Sequence, residues 1–357
     1  MYLTAGYRLN FDTRFPTAHG EPLTHAKLKT FPQDFIVEET LAFPLSGQGE
    51  HLYLYIRKTN ANTEWVSKQL ARQLGVAQRD IGYAGLKDRH GVTSQWFSLP
   101  GKNISQEKLD TLDIEGVELS EICRHERKLR KGAIKHNRFT ICLRDISVAT
   151  TSLHQRLALI EQQGVPNYFD EQRFGRQRGN LSAAQQMFQR KLRPSRFQRG
   201  LYLSAARAWL FNQILARRVS QHTWNTAMTG DVFRLEGSKR FFTPDTIDED
   251  IRARLVQCDI HPTAAMWGEG ELQSHADTAE LEQAVAHQWQ VFAEGLIAAR
   301  LTQDRRPLRV LPQQMSYRLE PDLHTLTLSF ALPAGSYATA VMRELVRLEP
   351  VQTDSLN

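Results

Sequence analysis

The run HTLTLSFALP, residues 324–333, alternates apolar and polar side chains as a strand does, yet nothing beside it in sequence offers a sheet. A lone strand leaves its backbone donors and acceptors unpaired, so it must join strands formed elsewhere. Strand-like candidates lie far upstream: HLYLYIRKT (51–59), TSQWFSL (93–99) and RFTICLRDI (138–146). Two helical patterns separate or follow them. NTEWVSKQLARQLGV (62–76) starts on the N-cap candidate Asn62, repeats Trp65, Val66, Leu70 and Leu74 at helical spacing, and stops at Gly75. TTSLHQRLALIEQQG (150–164) stops at Gly164. The middle of the chain reads as helix: NLSAAQQMFQRKL, LSAARAWLFNQILARRVSQ, and DTAELEQAVAHQWQVFAEGLIAAR with a break expected near Gly295. Trp209 and Phe211 are expected in its core. The end, YATAVMRELVRLE, is expected to be a helix. The pattern predicts an α+β fold with a mixed or antiparallel sheet contributed by both ends of the chain and a mainly helical insertion between them.

Composition narrows the function classes. With 41% hydrophobic and 24% charged residues the chain is globular in character, and no run approaches 18 consecutive apolar residues, so no membrane span is expected. The first residues lack a basic start followed by a long apolar run, so no secretory leader is expected either. Cys123, Cys142 and Cys258 are too widely spaced for a zinc ribbon, and their odd number argues against a disulfide framework. The histidines show no metal-ligand spacing. A cytoplasmic, metal-free protein is expected. Walker A, GxGxxG and GxSxG patterns are all absent, so neither a nucleotide cofactor nor a serine nucleophile is expected.

The net charge of +6 is modest, but it is unevenly placed. Nine Lys or Arg and no acid occur from Arg173 to Arg207. Seven occur from Arg124 to Arg138 against Glu126 alone, whereas Asp245 to Glu294 holds eleven acids and two arginines. Segregation of this kind suits a polyphosphate partner, because each neutralised phosphate releases counterions. Phe174, Phe188, Phe197, Tyr202 and Trp209 interleave with the first basic block, as rings that stack unpaired bases do. At helical spacing the same rings also suit a core.

Within GYAGLKDRHGVTSQWFSLP (82–100) one carboxylate, Asp88, stands between Lys87 and Arg89, with glycines at 85 and 91. A carboxylate beside cations stays ionised at neutral pH, which excludes general-acid work. It leaves a nucleophile or an electrostatic stabiliser of a cationic transition state. A surface turn with paired charges is the plain alternative.

AGLKDRHGVTSQ (84–95) resembles the signature of the TruD-type tRNA pseudouridine synthases. KLKTFPQDFIVEE (27–39), RHERKLRKGAIKHNRFTI (124–141), GVPNYFDEQRFG (164–175), LSAARAWLFNQIL (203–215) and LPAGSYATAVMREL (332–345) resemble further family segments in the same order. The resemblance implies isomerisation of uridine 13 of tRNA to pseudouridine, with no cofactor or metal. It implies a discontinuous pseudouridine-synthase domain, 1–163 and 312–357, with an inserted TRUD domain at 164–311 flanking an RNA-binding cleft. Asp88 falls on the family's catalytic aspartate. Asn137, Phe139 and Phe35 fall on positions around the target base, and Lys29 on a basic residue near the carboxylate. Lys87 and Arg89 join them as expected substrate-side cations. The family pattern has Phe where this chain has Tyr337; the ring is kept and a hydroxyl is added. A monomer is expected. Attack on C1′, addition to C6 and abstraction of the 2′ proton all suit an ionised Asp88. An RNA-binding module without catalysis, or an RNA glycosylase or nuclease, are the rival readings. Without the resemblance Phe35 and Phe139 would be assigned to the core, Asn137 to a turn and Lys29 to solvent.

Overall fold

The computed structural model describes residues 10–349. They form two compact units: one from 23–153, 312–338 and 345 onward, the other from the residues up to 22, 154–311 and 339–344. The first begins with strands β1 (Thr24–Leu28), β2 (Phe35–Leu41), β3 (His51–Thr59), β4 (Gly82–Tyr83), β5 (Val92–Pro100), β6 (Val117–His125) and β7 (Ile134–Arg144), with helices α1 (Thr63–Leu74) and α2 (Gln106–Asp110). Helix α3 (Thr150–Gln163) leads into the second. There follow β8 (Val165–Pro166), α4 (Gly179–Phe188), α5 (Arg196–Ser220), β9 (Phe233–Leu235), β10 (Phe241–Phe242), α6 (Glu249–Val256), β11 (Ile260–Met266), α7 (Ala276–Gln288), α8 (Gln290–Ala298), β12 (Asp304–Pro307) and β13 (Arg309–Val310). The chain returns through β14 (Gln313–Glu320), β15 (Thr325–Pro333), α9 (Ala338–Met342) and β16 (Val346–Leu348).

The orphan strand of the sequence finds its partner upstream. β15 lies antiparallel to β7, from Thr325 opposite Arg144 to Pro333 opposite His136. The sheet runs β14-β15-β7-β2-β5-β3-β6, with β2 and β5 parallel and its other neighbours on this path antiparallel. It is therefore a mixed sheet drawn from both ends of the chain. Helix α1 covers one face of it. The Asn62 side chain accepts from the Trp65 amide and Gly75 ends the helix at φ 71°. Val66, Leu70 and Leu74 bury against Leu54, Ile56, Phe97 and Leu99, each contributing about 1.5–3 kcal/mol. Trp65 is off that face and 40% exposed.

Two expectations are corrected. The segment 337–349 is not one helix: it leaves helix after Met342, and Val346–Leu348 pair in parallel with Thr24–Ala26. A strand partner more than 300 residues away in sequence outweighs a locally helical pattern. The second concerns 277–300, which breaks at Trp289 (φ −111°, ψ 39°), not at Gly295. Gly295 lies inside α8, where a Cβ would come 2.3 Å from the Phe188 ring, so glycine there serves close packing rather than a break. The second unit closes around Trp209, which is fully buried along with Phe211 as expected. Its ring meets Phe11, Phe174 and Trp289 edge-on at 5.1–5.6 Å.

Candidate active site

Asp88 lies in the irregular segment between β4 and β5, and hydrogen bonds fix that segment at successive residues. Gln95 donates to the Gly85 carbonyl at 3.1 Å, and Gln95 Oε1 accepts from Thr63 at 2.8 Å. Thr63 Oγ1 in turn accepts from the Lys87 amide at 3.0 Å. The Ala84 carbonyl accepts from the Gly132 amide, and the Gly91 carbonyl from the Asn60 amide. Gly91 sits at φ 145° with its α-carbon against Phe35; a Cβ would lie 2.6 Å from the Phe35 carbonyl oxygen. Only glycine suits that backbone and that approach. The loop is rigid by construction, and it leaves the Asp88 side chain 31% exposed.

The cation on the carboxylate is Lys29, whose Nζ lies 3.2 Å from Asp88 Oδ2. Lys29 follows β1 in the left-handed region, φ 61°, and its ammonium also sits 4.0 Å above the Phe35 ring. Neither sequence neighbour of Asp88 pairs with it. Lys87 turns inward to Glu39 at 2.5 Å, with the two side chains 6% and 0% exposed. Arg89 is exposed and makes no ion pair with a described residue.

Phe35 and Phe139 occupy facing strands β2 and β7, with ring centroids 6.1 Å apart, and Phe139 continues to Phe330 at 5.8 Å. Both rings are largely covered, at 4% and 8% exposure. Asn137 is on β7, not in a turn, opposite Glu39 on one side and Leu332 on the other. Its Oδ1 is buried and has no hydrogen-bond partner among the described residues. Such an orphaned acceptor calls for a donor. Tyr337 is half-buried on the connection from β15 to α9, just beyond the strand that pairs with Asn137.

Glu39, Thr63, Gln95 and Lys58 were not legible as parts of the site. Lys58 is the least expected: it is fully buried, and Nζ donates to the carbonyl of Asp88 at 2.9 Å and of Ala61 at 2.5 Å. Burial pushes its ammonium down to about 8, against the opposing pull of Asp88. The available signal was register: Lys58 follows Leu52, Leu54 and Ile56 on the inward side of β3.

In the second unit seven of the nine cations between Arg173 and Arg207 are exposed: Arg176, Arg178, Arg190, Lys191, Arg193, Arg196 and Arg199. Phe174 and Trp209 are fully buried, whereas Phe197 is 70% exposed among these cations. Arg173 donates to Ser204 Oγ at 3.0 Å and Arg207 to the carbonyls of Met266 and Thr302. Among the described residues no group of three or more His, Cys, Asp or Glu is placed to hold a metal ion, and no helix is long and apolar enough to cross a membrane.

The family model for tRNA pseudouridine synthase D (TruD) matches residues 17–193 and 181–345. A tRNA pseudouridine synthase D of Hydrogenovibrio crunogenus is 46% identical over 342 residues, covering 94% of this chain and 98% of the relative. Those of Aeromonas salmonicida and Methylococcus capsulatus are 44% and 43% identical over 333 and 336 residues, covering 93% and 94% of this chain and 93% and 95% of the relatives. The crystal structure of the putative tRNA pseudouridine synthase D from Methanosarcina mazei superposes with a TM-score of 0.71 at 19% identity, covering 93% of this chain and 95% of that one. That likeness is one of fold.

Proposed function

The chain belongs to the TruD family of tRNA pseudouridine synthases, and on that premise we propose that it isomerises uridine 13 of tRNA with Asp88 as its catalytic carboxylate. The observation that carries the assignment of Asp88 is its setting: a partly exposed carboxylate, held by Lys29, on a loop pinned on both sides.

Pseudouridylation breaks the N1–C1′ bond, turns the uracil and rejoins it through C5. The uridine must first leave its stack. A carboxylate at fixed position and paired with Lys29 then serves any of three routes: attack on C1′, addition to C6, or removal of the 2′ proton. The Lys29 charge also offsets repulsion between Asp88 and the phosphates of the incoming RNA. Asn137, half-buried on β7, is the proposed polar contact to the edge of the base, its amide complementary to the uracil N3–H and carbonyl groups. Phe35 and Phe139 form an apolar floor, with Tyr337 as a further ring, that keeps water from the detached base and sugar. Arg89 is free to meet phosphate. Lys87 supports the loop from inside. The reaction as written needs no metal or organic cofactor, and a monomer suffices for it. Three free cysteines fit a reducing compartment such as the cytoplasm.

Incubation of unmodified tRNA with the protein, followed by mapping of modified positions, tests this reading. Pseudouridine at position 13 is expected; an abasic site would favour a glycosylase, a cut strand a nuclease, and bound but unchanged tRNA a binding module.

The exposed cations from Arg176 to Arg199 are the proposed phosphate contacts. Log affinity for tRNA should then fall with log salt at roughly −0.7 per single-strand phosphate contact, and more steeply for duplex contacts. Charge reversal at Arg193 and Arg196 should weaken binding and leave the single-turnover rate at saturation unchanged. Phe197→Ala should raise Kd by about fivefold or more if an unpaired base stacks there. A flat salt response in a filter-binding titration would contradict this placement of the RNA.

A further inference from the structure

The apolar inward row of β3 ends in a charge. Leu52, Leu54 and Ile56 belong to the core cluster under α1, and Lys58, next on the same side, is equally buried. Its cross-strand neighbours are Thr93 on β5 and Val117 on β6. No carboxylate of the described residues forms an ion pair with it. A buried ammonium without an anionic partner is costly, and an apolar side chain would continue the row better. What Lys58 does have is two main-chain carbonyls, of Ala61 and of Asp88. The Asp88 peptide is in no strand or helix, so its carbonyl has no ladder partner to orient it.

We infer that Lys58 is a positioning residue of the reaction: its buried ammonium fixes the Asp88 main chain from within the core, while Lys29 fixes the carboxylate. The inference rests on Asp88 as the acting group. Two anchors on one residue restrict both its backbone and its χ angles, which holds the carboxylate at a set position relative to the nucleoside. Of the elements packed around Lys58, β5 carries no titratable side chain, β6 presents Val117, and the turn before α1 presents the Ala61 carbonyl. The loop presents Asp88 and Lys87, and these are the charges that act on it, the first holding the proton on and the second driving it off. With the ammonium lowered to about 8, the clamp is charged at pH 7 and loses its charge as pH rises through that value.

Single-turnover pseudouridine formation on unmodified tRNA, with protein saturating, tests this for wild type, Lys58→Met and Lys58→Gln from pH 7 to 9. At pH 7 the Met variant should be slower by about 30-fold or more, the scale of a misplaced reacting group. Its tRNA affinity should stay within about twofold, since the side chain of Lys58 is fully buried. The wild-type rate should fall above about pH 8, and neither variant should show that limb. Denaturation midpoints identify which variants fold. Wild-type rates in any folded variant, or a limb shared by wild type and variant, would overturn the inference. So would a wild-type rate flat across this range, which needs no variant. Wild-type protein inactive on tRNA would instead overturn the pseudouridine reading beneath it.

Discussion

Asp88→Asn is expected to lower single-turnover pseudouridine formation by roughly 10⁴-fold or more, the scale on which a group acting directly on the reacting atoms is lost. Asparagine keeps the shape of the side chain and the main-chain carbonyl that Lys58 holds. It removes the charge that faces Lys29 and the lone-pair basicity that all three routes require. Stability should change by less than about 1 kcal/mol, because the Lys29–Asp88 pair is partly exposed and its aspartate is 31% accessible. Affinity for tRNA should hold or rise slightly, since a negative charge leaves a site that meets phosphates. A kinetic collapse with unchanged melting and binding is the signature expected, and quench-flow assays beside a filter-binding titration read it. A variant within about tenfold of wild type would remove Asp88 from the chemistry.

Lys87→Met is expected to produce the largest loss of stability among the loop variants, about 3–5 kcal/mol by urea denaturation. Glu39 is fully buried, and Lys87 at 2.5 Å is its only ion-pair partner among the described residues. Its other oxygen accepts from the Trp96 amide at 3.3 Å, too little to offset a buried negative charge. The double replacement Lys87→Met with Glu39→Gln should recover most of the loss, because neither member of the pair then leaves a buried charge unpaired. If the single variant is as stable as wild type, the pair contributes nothing to the loop and the rigidity argued for Asp88 weakens with it.

What the sequence made legible was local. Helix α1 carries its cap, its stop and its apolar face within one short stretch, from Asn62 to Gly75. The strand at 324–333 could be recognised and its lack of a local partner noted, which was enough to call for a sheet built from both ends. Charge segregation was visible by counting, although which of five interleaved rings faces solvent depended on helix packing: Trp209 went to the core and Phe197 to the surface. The end of the chain misled because ATAVM does start a helix, and only the pairing of Val346 with Thr24 shows that it stops. In the site, the loop and Asp88 stood out because glycines and charges sit next to each other in sequence. Their supports followed from no local pattern; only the family resemblance pointed to Lys29, which the structure pairs with Asp88. Lys29 reaches Asp88 across 59 positions, Lys87 reaches Glu39 across 48, and Lys58 reaches the Asp88 carbonyl across 30. No local rule couples residues so far apart; the sheet order does.

Transfer RNA labelled with tritium at C5 of uridine tests the central claim most directly. Joining the sugar to C5 expels the hydrogen there, whereas hydrolysis of the glycosidic bond or of the strand leaves it in place. Wild-type protein is expected to release tritium in step with pseudouridine formation, leave the strand intact and leave its mass unchanged apart from the label. Asp88→Asn is expected to bind the same tRNA and release none above background. Tritium retained while uracil appears free or the strand is cut, or release by the Asn variant at the wild-type rate, would contradict the account.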